Sequence, residues 1–128
     1  MKYIKGDYKY SDITEKIIKE AYYVYNELGY GFFEKIYENA LVYRLGIIEI
    51  KVEQQYPINV YFEKALVGEY FADIVIENKV IVEVKAIEKL NQIHEVQLVN
   101  YLKAIDIDIG LLINFGKKMD IKRKIHDI

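Results

Sequence analysis

Asp73, Glu83 and Lys85 stand among apolar neighbours in residues 68–85, GEYFADIVIENKVIVEVK. Side chains alternate between faces along a strand, so Glu83 and Lys85 project to one side and Val82 and Val84 to the other. Charged groups are rarely buried without a partner or a task. Two carboxylates beside a lysine suit metal-assisted phosphodiester chemistry. Mg²⁺ takes hard oxygen ligands, commonly a few carboxylates or carbonyls plus waters and substrate phosphate. Asp73, Glu83 and the Val84 carbonyl can supply the protein share. The ion would polarise a phosphoryl oxygen and acidify a bound water. Lys85 would hold or activate that water and offset charge in the transition state. The bland alternative is a surface ion pair on a solvated strand face, which the apolar residues on both faces disfavour.

That chemistry needs a particular connection between two strands. If Glu77-Asn78-Lys79 is a three-residue loop, Ile76 pairs with Val80 and Asp73 lies opposite Glu83. A two-residue Asn78-Lys79 loop pairs Asp73 with Val84 and puts the carboxylates on opposite faces. Shared metal binding therefore predicts an odd-length loop or a bulge.

The positioning elements follow from periodicity. Residues 12–28 read as a helix, with Asp12 and Glu15 fitting a capping box and Ile13, Ile17, Ala21, Val24 and Leu28 on one stripe. Gly29-Tyr30-Gly31 breaks it, and a second helix over about 32–45 ends with Gly46 as a C-cap. Residues 47–54 and 57–63 read as strands with Pro57 between them. The hairpin over about 69–86 follows, then a helix from Asn91 to about Ala104, then a buried strand over 109–115. The order predicts a mixed-sheet α/β layer fold without linker or repeat.

At 128 residues the chain is long enough for one domain with its own core. It is 52% hydrophobic and 30% charged, which is globular rather than disordered. It has no cysteine, which excludes disulfides and thiolate metal sites. The amino terminus lacks the apolar core of a signal peptide, and no apolar run approaches a membrane span, so a soluble, cytoplasmic location is expected. A net charge of −2 and a pI near 5.7 count mildly against DNA binding by electrostatics alone. They count less against a nuclease, because a divalent cation neutralises an acidic site. The 13 tyrosines are expected to be mainly packing residues, with a few available for stacking.

Asp73 followed by Glu83-x-Lys85 on consecutive strands resembles the PD-(D/E)xK nuclease superfamily. The resemblance extends to one branch of it, the GxxExxY proteins. It is carried by GFFEKIYENAL at 31–41, YFAD at 70–73, VEVKA at 82–86, QLVNYLK at 97–103 and GLLINFG at 110–116. Together these span nearly all of the chain after residue 12. The resemblance implies a restriction-endonuclease-like α/β core, a mixed β-sheet flanked by helices in the order α-β-β-β-α-β. It also implies Mg²⁺- or Mn²⁺-dependent hydrolysis of nucleic acid, DNA ahead of RNA.

Residue by residue, Glu34 matches the helical glutamate often directed at the metal, and Gln97 the glutamine that orients the lysine or the water. Tyr37 shares a helix face with Glu34, so it either reaches the same cleft or packs. His94, Gln97 and Tyr101 lie along one helical stripe, offering substrate contacts, although His94 also reads as a plain surface residue. The basic tail 117–128, Arg123 included, either touches the phosphate backbone or is a solvated terminus. Tyr25 and Tyr30 occupy positions where the branch usually carries a histidine and a proline, while the proposed metal residues are intact. The competing functional reading is a non-catalytic nucleic-acid-binding or interaction module that keeps the nuclease scaffold. A homodimer sharing an edge strand is compatible with either.

Overall fold

The computed structural model describes residues 10–126. Helices α1 (Ser11–Leu28) and α2 (Glu34–Ile47) precede strands β1 (Val52–Phe62), β2 (Ala65–Ile76) and β3 (Val80–Lys85). Helix α3 (Gln92–Ile105), β4 (Ile109–Phe115) and β5 (Met119–Ile125) complete the order. The strands form one sheet in the order β1-β2-β3-β4-β5. Strands β3 and β4 run parallel, joined by the crossover helix α3 that such a pair requires, and the other neighbours are antiparallel. This mixed five-stranded sheet flanked by helices is the restriction-endonuclease-like α/β arrangement expected from the sequence.

The core has two layers, one on each face of the sheet. Ile17, Leu41 and Leu45 of α1 and α2 pack on Ile74, Val82 and Ile113. Leu98 and Leu102 of α3 pack on Val75, Ile81 and Leu112 from the other side. Strands β3 and β4 are covered on both faces, which is why VIVEVK and IGLLINF read as near-continuous apolar runs. No described helix is long and apolar enough to cross a membrane.

Several boundaries differ from the sequence expectation for identifiable reasons. Tyr10, in left-handed conformation, caps α1 without a side-chain bond, so the Asp12–Glu15 capping box is not formed. Gly46 lies inside α2, whose cap is Ile48. Pro57 sits within β1 rather than between two strands. Strand β1 is hydrogen-bonded to β2 alone, and an edge strand tolerates a residue without an N–H. Strand β2 begins four residues earlier than expected, because Phe62 pairs with Ala65 across a tight Glu63-Lys64 turn with φ of 49° and 72°. Such primed turns usually carry Asn or Gly, and Glu-Lys gives no such signal. The basic tail is largely strand β5, paired along β4, with residues 127–128 outside the described part.

Candidate active site

The β2–β3 connection is the three-residue Glu77-Asn78-Lys79 loop, with Ile76 opposite Val80 and the ladder continuing to Ile74 opposite Val82. There the ladder stops. Past that point side chains replace backbone pairing: the Asp73 N–H donates to Glu83 Oε2 at 2.7 Å, and the Val84 N–H donates to Asp73 Oδ2 at 2.8 Å. Each carboxylate thus takes an N–H of the other strand.

Strand β2 also turns over at Asp73. Ala72 and Ile74 should share a face, yet Ala72 packs with the α3 side and Ile74 with the α1–α2 side. The β1–β2 ladder passes from Gln54–Ile74 to Tyr56–Ala72 without a Gln55–Asp73 pair, and Gln55 is left-handed at φ 53°. Gln55 Nε2 donates to Glu38 Oε2 at 3.0 Å and lies 3.4 Å from Asp73 Oδ1. The kink in β1 therefore meets the break in β2 at the carboxylate itself.

Glu34, the first residue of α2, reaches the same cluster. Its carboxyl is raised chiefly by burial, opposed by the Lys85 charge and by the Ala86 N–H and reinforced by Asp73 and Glu38. Burial likewise raises Asp73, with the Val84 N–H opposing and Glu38 adding to the rise. Glu83 is pushed up to about 8, first by burial and then by the Asp73 charge. Lys85 acts on all three carboxyls as the counter-charge.

An acid cluster held above its usual titration range is short of positive charge, and a divalent cation would supply it. Among the described residues no three His, Cys, Asp or Glu side chains form a ready-made metal cage. Mg²⁺ does not need one, since it keeps waters and substrate phosphate in its shell. Each carboxylate also retains acceptor capacity beyond its N–H bond, because a carboxylate offers about four lone-pair sites. The donor set therefore fits a hard divalent ion.

On the α3 side, Gln97 Nε2 donates to the Tyr101 hydroxyl at 3.0 Å. That hydroxyl is held above its usual range, by burial first and then by the charges of Glu83 and Asp73, with Gln97 opposing. Gln97 is thus bonded to a hydroxyl that feels the charges of Glu83 and Asp73. His94 is committed locally: its Nδ1 accepts the Asn91 N–H at 3.2 Å, while Asn91 Oδ1 accepts the Ile93 N–H.

Two expected substrate contacts sit elsewhere. Tyr37 is fully buried, stacked on Phe115 at 4.6 Å, with its hydroxyl donating to Gly29 O and accepting the Phe32 N–H. It holds the glycine turn before α2 instead of facing a cleft. Arg123 points from β5 to α1, where Nη1 lies 3.4 Å from Thr14 Oγ1. Tyr25 lies with its hydroxyl 2.6 Å from Gly116 O and 2.8 Å from Lys117 O.

Three residues of the site escaped the sequence reading. Glu38 is buried and accepts Lys35 Nζ, Gln54 Nε2 and Gln55 Nε2 on one oxygen. Its signal was available, since it follows Glu34 by four residues on the same helix face. Gln55 gave none. Asn114 pairs in register with Lys85 and clamps Ile87, taking its N–H on Oδ1 and giving Nδ2 to its carbonyl, both at 2.9 Å. A Cβ at Gly116 would stand 2.5 Å from that carbonyl, so only glycine lets the clamp close. A buried asparagine in an apolar strand was the visible cue.

A family model described as the PD-(D/E)XK nuclease superfamily matches residues 11–125. Among solved structures, the crystal structure of SSO0001 superposes with a TM-score of 0.53 and 17% identity. The match covers 93% of this chain and 61% of that one, so the chain spans about three fifths of its length. At this identity the likeness speaks for the fold alone. No curated protein matches the chain.

Proposed function

The chain belongs to the PD-(D/E)XK nuclease superfamily, and on that premise we propose that it is a Mg²⁺- or Mn²⁺-dependent nuclease acting through Asp73, Glu83 and Lys85. The observation that carries this reading is the exchange of N–H bonds between Asp73 and the Glu83-Val84 segment, where the β2–β3 ladder ends. It leaves two partly desolvated carboxylates side by side with a lysine on the same strand. The GxxExxY branch is the finer family reading, supported by the motif in residues 31–41.

Asp73, Glu83 and the Val84 carbonyl would hold the cation, with Glu34 as a further carboxylate. When bound, the cation polarises the phosphoryl oxygen and lowers the pKa of water. Glu83, pushed up to about 8, holds a proton near neutral pH that it would have to release to hold the cation. Lys85 offsets the charge that builds on phosphorus and positions the attacking water. Tyr101 and Gln97, bonded to each other, stand on the α3 side of the site.

Nucleic acid is the substrate class, with DNA ahead of RNA as the first to test. Plasmid, single-stranded and branched DNA incubated with Mg²⁺ or Mn²⁺ should be cut by the wild type and spared in EDTA. Lys85→Ala should abolish the cleavage. Cutting that survives in this variant would mean that the activity arises elsewhere.

A further inference from the structure

A cleft of about 710 Å³ lies between α3 and the far half of the β1–β2 ribbon, lined among others by Ile58, Val60, Tyr70, Gln97, Tyr101 and Lys103. Along β2 its lining ends at Tyr70, three residues before Asp73. Tyr70 and Ala72 share the α3 face of β2 two residues apart, and Asp73 follows. Tyr101 forms the join, with its hydroxyl bonded to Gln97 and its ring 5.9 Å from that of Tyr70 at 40°.

The lining has the chemistry of a nucleobase site. Two aromatic rings and aliphatic side chains offer stacking surface, and Gln97 and Asn100 offer edge hydrogen bonds. None of the lining residues is acidic, and Lys103 brings a positive charge, although the neighbouring catalytic cluster is strongly acidic. Tyr70 is half exposed. A Cβ at Gly68 would stand 2.9 Å from Tyr70 Cε2, so glycine there leaves the ring room to lie over the cleft.

Charge argues against a duplex as the preferred substrate. A net charge of −2 offers little of the cationic surface that tracks duplex phosphates. Stacking is the affinity source that an acidic protein with exposed rings can use instead.

We propose that this cleft receives an unpaired base of the strand under attack, and that the substrate is a single-stranded or unpaired segment of nucleic acid. The proposal rests on the nuclease reading for the strand's placement, since the phosphate beside the captured base would lie at Asp73 and Glu83.

The test separates the two ideas. Binding of fluorescent oligothymidylate and of an A·T duplex of equal length is measured with Mg²⁺ in the Glu83→Gln background, and cleavage of both by the wild type. The single strand should bind at least 10-fold tighter than the duplex. Tyr70→Ala should weaken the single strand about 10- to 100-fold and leave the duplex unchanged, while Tyr70→Phe retains tight binding. Equal binding of both forms, or no effect of Tyr70→Ala, overturns the cleft assignment even if wild-type cleavage is robust. Tyr70-dependent binding of the single strand without any cleavage upholds the cleft and sinks the nuclease reading.

Discussion

Glu83 Oε2 accepts the Asp73 N–H at 2.7 Å, across the place where strands β2 and β3 cease to pair. Asp73 answers by accepting the Val84 N–H on Oδ2 at 2.8 Å. The two carboxylates therefore substitute for a missing rung of the sheet while presenting their remaining lone pairs. One pair of residues holds the strands apart and supplies the proposed ligands.

Alanine and amide substitutions should separate these roles. Asp73→Asn and Glu83→Gln keep an oxygen that can accept the same N–H, whereas Asp73→Ala leaves the Val84 N–H unpaired beside the core. Loss of a buried partner costs about 1–3 kcal/mol. Thermal unfolding should show a clear drop for Asp73→Ala and near-wild-type midpoints for both amides. Equal losses for alanine and amide would show that the N–H bonds do not matter to the fold.

The stability of the metal-free protein should fall as pH rises. Glu83 titrates near 8 in the fold against an ordinary 4.5, so between those values the unfolded chain ionises while the folded one resists. The stability present below about 4.5 is thus lost as pH rises through about 8, and the raised Asp73 and Glu34 add the same sign. In EDTA the melting temperature should decline over this window, less so in Glu83→Gln. Mg²⁺ or Mn²⁺ should restore it most at the alkaline end. A decline as steep in Glu83→Gln as in the wild type would locate the titration elsewhere.

Glu38 raises both Asp73 and Glu34 through its charge. Glu38→Gln removes that charge and keeps one oxygen for the surrounding donors. The acidic limb of the pH–rate profile should move to lower pH, and metal should bind at lower pH as well. Movement to higher pH would show that Glu38 serves mainly by holding Gln55 in place.

Asn114→Ala should unlatch the chain just after Lys85. It frees both the N–H and the carbonyl of Ile87, a cost of about 2–3 kcal/mol if neither finds a new partner. Because Asn114 pairs in register with Lys85, the proposed transition-state counter-charge, kcat should fall more than metal affinity. An unchanged kcat at saturating metal would make Asn114 a purely structural clamp.

Much of this was legible in the chain, for reasons visible in particular residues. The run VIVEVK announces a buried strand, and Glu83 and Lys85 in it announce a task. The three-residue loop followed from requiring the carboxylates to meet. What stayed hidden depends on backbone geometry that composition does not encode. Gln55 adopts a left-handed φ without being Gly or Asn, and Glu63-Lys64 makes a turn without turn residues. Tyr37 shares the helix face of Glu34, yet periodicity alone cannot tell a stacked core tyrosine from one lining a cleft.

On the proposed function, Asp73, Glu83 and Lys85 form a metal-dependent phosphodiester-cleaving site. Its most direct measurement is the single-turnover cleavage rate at saturating Mn²⁺ for the wild type and Glu83→Gln, with melting temperatures taken on the same samples. Glu83→Gln should lose at least about 10²-fold in rate with little change in melting temperature, in line with losing a transition-state electrostatic contact. A wild-type rate in Glu83→Gln would contradict it.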